Sequence, residues 1–159
     1  MKTHRYTVDV SWTGNRGTGT RDYAAYDRSH EIRSQGKTSI LGSSDPVFRG
    51  DPTRWNPEEL FVSTLSTCHQ LWYLHFCAVS RVCVISYDDS AEGVMEESGT
   101  AGGRFTSVTL RPRVVITDDS DFEAAKAAHD KAHHACFIAN SVNVPITVQP
   151  TIVTAATAR

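Results

Sequence analysis

The chain opens with a strict alternation of apolar and polar positions. From His4 to Trp12, Tyr6, Val8, Val10 and Trp12 fall on one side, and Thr7, Asp9 and Ser11 on the other. A period of two predicts a half-buried strand. Gly14-Asn15-Arg16-Gly17 follows as a turn. Thr20 to Tyr26, His30 to Arg33 and Thr38 to Leu41 read as further short strands. Gly42 to Trp55 is rich in Ser, Asp, Pro and Gly and predicts a long loop. Loops of that length inside a compact domain usually carry function.

The period then changes. Asn56 suits an N-cap, Pro57 the first helical position, and Glu59 the carboxylate of a capping box. Glu58 and Glu59 also favour the positive end of the helix dipole. Phe61, Leu65, Cys68, Trp72, Phe76 and Val79 recur at three- and four-residue spacing, so the helix runs to about Ser80. Leu60, Thr64, Leu71 and Leu74 widen this stripe. A helix apolar on several faces belongs at the centre of a fold or of an oligomer.

Arg81 to Tyr87 is β-branched and predicts a buried strand, extended through Gly93 to Glu96 after Asp88-Asp89. Ala101-Gly102-Gly103 marks a turn. Arg104 to Thr117 alternates again, and Pro112 within it suggests an edge or a bulge. A second helix is expected from Ser120, with Glu123 completing a capping box, to about Ala135. Cys136 to Ser141 forms a short element and Ile146 to Val153 a last strand. Strands, a long helix, two long strands, a helix and a strand make an α+β fold with antiparallel sheets, not a doubly wound parallel one.

Composition narrows the class. The 159 residues, 40% hydrophobic and 21% charged, suit one domain over 1–159. Its parts are N-terminal strands and loop (1–55), central helix (56–80), and strands, second helix and last strand (81–159). A net charge of -2 excludes dominant disorder and gives no reason to expect a nucleic-acid partner. The longest apolar stretch, Leu71 to Val79, is interrupted by His75 and falls short of the ~20 residues of a membrane span. The opening Met1-Lys2-Thr3-His4-Arg5 lacks an apolar leader. No membrane association and a cytoplasmic location are expected. The four cysteines, Cys68, Cys77, Cys83 and Cys136, include no Cys-x-x-Cys pair, so reduced thiols are expected. Cys77 and Cys83 are expected to be small buried hydrophobes.

Two cysteines have chemically suggestive surroundings. Cys68 lies among Ser63, Thr64, Ser66, Thr67, His69 and Gln70 in mid-helix. These small polar residues either leave room for a ligand or bond back to the helix. Its neighbour His69 points about 100° away around the helix, which disfavours a close Cys-His nucleophile pair. Cys136 follows Ala132-His133-His134-Ala135. His129 and His133 share a helix face, so a metal site with Cys136 is one reading, and surface histidines are the simpler one.

Asn56-Pro57-Glu58-Glu59-Leu60, followed by small and polar residues up to Cys68, resembles the helix signature of the OsmC/Ohr family, the osmotically inducible protein C and organic hydroperoxide resistance proteins. The family's Cys lies ten residues after the Glu of Asn-Pro-Glu, the spacing of Glu58 to Cys68. Cys136-Phe137-Ile138-Ala139-Asn140-Ser141 resembles its Cys-Pro-x-Ser-Asn type motif. Trp12-x-Gly14 and the strand from Gly102-Gly103 to Arg113 also fit, so the resemblance spans nearly the whole chain.

The resemblance implies an intertwined homodimer of curved antiparallel sheets around long central helices, acting as a thiol peroxidase on organic hydroperoxides. Cys68 would be the peroxidatic thiolate and Cys136 the resolving thiol. A small or lipoyl dithiol would recycle them, with no metal or organic cofactor. The family also uses an Arg held by the Asn-Pro-Glu carboxylate, here Glu58. Arg49 in Phe48-Arg49-Gly50 is favoured because its loop directly precedes the helix, and Arg16 is the alternative. Ten helical residues rise about 15 Å. Glu58 and its Arg would therefore serve the Cys68 of a partner subunit. Trp72, Phe76, Phe61 and Phe137 either line an apolar pocket for an organic peroxide or, the commoner case for aromatics, fill core or interface. The chain departs from the family pattern at Phe137, where Pro is usual, at the extra thiols Cys77 and Cys83, and at Tyr23 to Arg33, whose Tyr26, Arg28 and His30 have no assigned role. A non-catalytic protein of this fold that binds a small apolar or thiol ligand is the alternative function.

Overall fold

The computed structural model describes residues 2–99 and 102–158. The chain forms two compact units, Met1–Leu60 and Phe61–Arg159. The first holds an antiparallel sheet of β1 (Asp9–Trp12), β2 (His30–Arg33) and β3 (Ile40–Gly42) in that order. Only the second half of the opening alternation is strand. Its apolar side is also open: Tyr6, Val8, Val10 and Trp12 are all exposed, Tyr6 by 89%. Alternation marks the face that gains from burial, and among the described residues nothing buries this one.

Thr20 to Tyr26 is not a strand. Asp22 accepts from the Ala24 N–H through its side chain (2.7 Å) and from the Ala25 N–H through its carbonyl (3.0 Å). Such local bonds compete with a strand ladder. Tyr26 alone makes a bridge, to Asn15. The long loop contains a 3-10 turn at Pro46–Phe48.

Helix α1 (Pro57–Val79) begins with the expected capping box. The Glu59 N–H donates to the Asn56 side chain (2.7 Å) and the Asn56 N–H to the Glu59 carboxylate (3.2 Å). The buried line along α1 is Leu65, His69, Tyr73 and Cys77. The predicted stripe lies beside it: Cys68, Trp72 and Phe76 are half-buried, and Leu71 and Val79 are exposed.

After α1 come β4 (Val84–Asp89), β5 (Glu92–Glu97), β6 (Gly103–Leu110), β7 (Pro112–Ile116), α2 (Phe122–Ala135), β8 (Ile146–Val148) and β9 (Thr151–Thr154). They form two sheets, β4-β7-β9 and β5-β6-β8. Both are mixed rather than purely antiparallel. β4 and β5 run antiparallel to β7 and β6, but β9 and β8 run parallel to them. Each stretch expected to be one long strand changes sheet partway. The breaks fall at Ser90-Ala91, Arg111 and Gln149-Pro150. At this bend the Asp89 carboxylate accepts the Arg111 N–H (2.7 Å) and the Ser66 hydroxyl (2.5 Å), and the Gln149 N–H reaches the Leu110 carbonyl (2.8 Å). Pro112 therefore opens a central strand instead of marking an edge, and a strand's first residue tolerates its missing N–H. Of the expected Ala101-Gly102-Gly103 turn, Ala101 lies outside the described residues.

One core cluster joins Tyr73, Cys77 and Val82 to Val114, Ile116, Ala125, Ala128 and Ala132. Another joins Leu65 to Val108 and Leu110. Helix α2 packs through alanines. Its N-cap is Asp121, whose carboxylate accepts the Ala124 N–H at 3.0 Å. The expected cap, Ser120, is engaged elsewhere: its hydroxyl accepts the Cys83 N–H (2.9 Å) and bonds the Thr117 hydroxyl (2.8 Å). Among the described residues no helix is long and apolar enough to cross a membrane.

Candidate active site

Cys68 sits half-buried in mid-α1, and Cys136 is the residue that ends α2. The chain leaves α2 at Cys136 in extended conformation and tightens into a 3-10 turn at Ala139–Ser141. The Asn140 N–H donates to the Cys136 carbonyl (3.0 Å), and its side-chain amide to the His134 carbonyl (2.9 Å). The turn is thus tied to the last turn of α2. It delivers the Cys136 sulfur, 2% exposed, to Cys68.

Cys136 and Cys68 lie close enough to interact electrostatically. Burial pushes the Cys136 thiol up to about 11, and the nearness of Cys68 adds to the rise. The Ala139 N–H, 3.4 Å away, and the Ile138 N–H pull the other way. All four cysteines are free thiols. Cys136 therefore keeps its proton, and Cys68 is the more accessible residue.

The polar residues around Cys68 do not converge on it as a group. Thr64 and Thr67 donate back to helix carbonyls (2.8 Å each), and Ser66 to Asp89. An apolar patch does flank the sulfurs. Trp72, one turn beyond Cys68, stacks on Phe76 (5.6 Å) and meets the edge of the exposed Phe137 (5.3 Å). Phe61 is not part of it. Phe61 packs on Phe105 (4.7 Å) and lines a separate cleft of about 920 Å³ with Arg104, Asn140 and Asn143.

His69 is the residue whose place the sequence reading missed. Its Nε2 lies 3.0 Å from Nδ1 of His129, both side chains being buried. The Tyr73 ring stacks on His129 at 3.9 Å. Burial is the largest cause that lowers both imidazoles, His69 to about 4 and His129 to about 3. His133 lowers His69 further, and His69 lowers His129. Nδ1 of His69 and Nε2 of His129 are buried without a hydrogen-bond partner. The signal was present as two apolar faces, Leu65-His69-Tyr73-Cys77 and Ala125-Ala128-His129-Ala132, each with one histidine in it.

His129 is thus a core residue rather than a surface one. Among the described residues no three His, Cys, Asp or Glu side chains, the His129-His133-Cys136 set included, stand where they could hold a metal ion. Cys77 is buried as expected, and burial raises its thiol. Cys83 is exposed, just before β4, where only its backbone is engaged: its N–H donates to the Ser120 hydroxyl and its carbonyl accepts the Thr117 N–H.

In the first unit, Glu58 stands in the first turn of α1 with Oε2 buried and without a hydrogen-bond partner. Arg49 ends the 3-10 turn in left-handed conformation (φ 66°), its N–H on the Pro46 carbonyl. Its guanidinium lies over the Tyr23 ring and makes no ion pair among the described residues. Arg16 is already engaged, with the Ala24 carbonyl at 2.6 Å and Asp27 at 3.7 Å.

A family model described as OsmC-like protein matches residues 50–151. An OsmC-like protein of unknown function from Vibrio cholerae is 32% identical, with a TM-score of 0.84 over 93% of this chain and 99% of that one. An organic hydroperoxide resistance protein from Elizabethkingia anophelis is 20% identical, with a TM-score of 0.66 over 97% and 99%. One from Legionella pneumophila is 17% identical, with a TM-score of 0.65 over 94% and 98%. The last two likenesses are of fold. Among curated proteins none matches the chain.

Proposed function

Because the chain belongs to the OsmC family, we propose that it reduces organic hydroperoxides to alcohols, with Cys68 as the attacking sulfur and Cys136 as the resolving one. The meeting of Cys136, at the end of α2, with Cys68 in mid-α1 carries this reading. Peroxide reduction needs a thiolate that is reachable and a second thiol within bonding distance.

In the first step the Cys68 thiolate attacks one peroxide oxygen. The O–O bond breaks, Cys68 becomes a sulfenic acid, and the alkoxide takes a proton to leave as the alcohol. In the second, the Cys136 sulfur attacks that of Cys68. A disulfide forms, and the sulfenic oxygen leaves as water with the thiol proton. In the third, a small or lipoyl dithiol exchanges with the disulfide, becomes oxidised itself and returns both thiols. The cycle needs no cofactor. Trp72, Phe76 and Phe137 offer the organic substituent an apolar surface beside the sulfurs.

Arg49 and Glu58 complete the site from a second subunit in this reading. Along the unbroken α1, Glu58 stands about 15 Å from Cys68 of the same chain. The unpartnered Glu58 oxygen and the unpaired Arg49 guanidinium supply the ion pair that the thiolate requires. The open row Tyr6, Val8, Val10 and Trp12 is apolar surface for a second copy to cover. Each subunit acts as one functional domain. Free thiols suit a reducing cytoplasm.

The test is turnover of cumene hydroperoxide with dithiothreitol by the native protein and by Cys68→Ser, with peptide mass spectrometry after one equivalent of peroxide. Loss of turnover in the variant and a Cys68-Cys136 disulfide in the native protein are expected. Undiminished turnover by Cys68→Ser would refute the role of Cys68, and absence of the disulfide that of Cys136.

A further inference from the structure

We infer that Tyr23 is a positioning residue for Arg49, holding its guanidinium ready for the peroxidatic thiol; this rests on the reading above in which Arg49 serves Cys68. An arginine at the end of an exposed loop samples many rotamers unless something holds it. Among the described residues no carboxylate pairs with Arg49 within one chain, and the Tyr23 ring is what holds its guanidinium. An aromatic face holds a guanidinium and leaves its N–H edge free. The Arg49 guanidinium carbon lies 5.7 Å from the Tyr23 ring centre, within cation–π range.

Both ends of this contact are built. The Tyr23 ring also carries Arg28, at 4.4 Å, and Arg28 lies at 4.2 Å over Tyr26. Arg28 donates to the carbonyls of Tyr26 (2.7 Å) and Tyr23 (2.9 Å), which staples the turn. Tyr26 in turn meets Trp12 edge-on at 5.8 Å, and the Trp12 indole N–H donates to the Asp27 carbonyl (2.8 Å). Tyr23 thus stands on a ladder anchored in β1.

At the other end, the Arg49 backbone holds a left-handed conformation that costs a non-glycine residue strain. Asp45 enforces it: its side chain accepts the Val47 N–H (2.8 Å) and its carbonyl the N–H groups of Phe48 (2.9 Å) and Gly50 (3.0 Å). A Cβ at residue 50 would run into the Ser44 carbonyl, so only glycine closes the turn. Such a conformation persists only where the surrounding bonds hold it, so the turn fixes where the Arg49 side chain leaves the backbone. The segment from Tyr23 to Arg28, unassigned in the sequence, acquires a purpose as the support for this side chain.

The experiment measures the pH profile of Cys68 alkylation by iodoacetamide, read on the Cys68 peptide, in reduced full-length protein. Native protein is compared with Arg49→Ala, Tyr23→Phe, Tyr23→Leu and the Tyr23→Leu/Arg49→Ala double variant. Arg49→Ala is expected to move the profile to higher pH. Tyr23→Leu moves it the same way by about half a pH unit, the size of an exposed cation–π contact. Tyr23→Phe keeps the native profile, and Tyr23→Leu adds nothing once Arg49 is gone. Tyr23 is 61% exposed, so leucine there meets no packing constraint.

A native profile in Tyr23→Leu, with the Arg49→Ala shift intact, overturns the role of Tyr23 alone. An equal Tyr23→Leu shift with and without Arg49 overturns it too, since the ring would then act on structure. No shift in Arg49→Ala overturns the Arg49 reading and this inference with it.

Discussion

Cys136 stands next to Cys68 with its thiol held protonated by burial, while Cys68 is half-buried, so the two thiols of the pair are chemically distinct. The sulfur that keeps its proton suits the second step, and the half-buried one the first.

Cys136→Ser should separate those steps. It is expected to yield about one equivalent of alcohol per subunit and then stall, since no second thiol condenses with the sulfenic acid. Excess peroxide should drive Cys68 on to sulfinic acid. Quantified alcohol release and the mass of the Cys68 peptide check this. Steady turnover at the native rate would remove Cys136 from the cycle.

The His69-His129 pair should make stability fall with acid. Both imidazoles are lowered in the folded chain, to about 4 and about 3, while the unfolded chain protonates near the ordinary 6.5. Between those values the unfolded state holds more protons, so stability drops as pH falls below about 6.5. The slope is at most about 1.4 kcal/mol per pH unit for each histidine. Above that range the pair contributes no pH dependence. Urea unfolding at pH 7.5, 6 and 5 should show the decline, and His129→Leu should flatten it. Equal slopes in the two proteins would contradict this account.

Asp89→Ala removes the acceptor of the Arg111 N–H and the Ser66 hydroxyl at the bend of the strands. A loss of about 1–3 kcal/mol is expected from the groups left unsatisfied. Asp89→Asn keeps an acceptor and should lose less. Urea midpoints decide, and equal stability of all three proteins would mean that water replaces the carboxylate without cost.

Elements written in short-range signals were legible. The start of α1 follows from Asn56, Pro57 and Glu59, whose backbone and side chains satisfy one another within a single turn. The reading of Thr20 to Tyr26 failed because Asp22 captures its neighbours' N–H groups. Ser120 looked like a cap until Cys83 and Thr117, distant or sideways neighbours, took its hydroxyl. In the site, Cys68, Cys136 and Glu58 stood out through their motif. His69 and Tyr23 carried no motif, since each acts through a residue far along the chain or in another loop.

The sequence by itself determined the α+β class and the ends and N-terminal cap of the central helix. These are properties of spacing, periodicity and local hydrogen bonding, which operate over a few residues. Only the tertiary structure decided that α2 ends against α1 so that Cys136 meets Cys68, that three strands bend at one level, and that two histidines share a core. Such pairings depend on which surfaces pack, and packing joins residues that no local pattern relates.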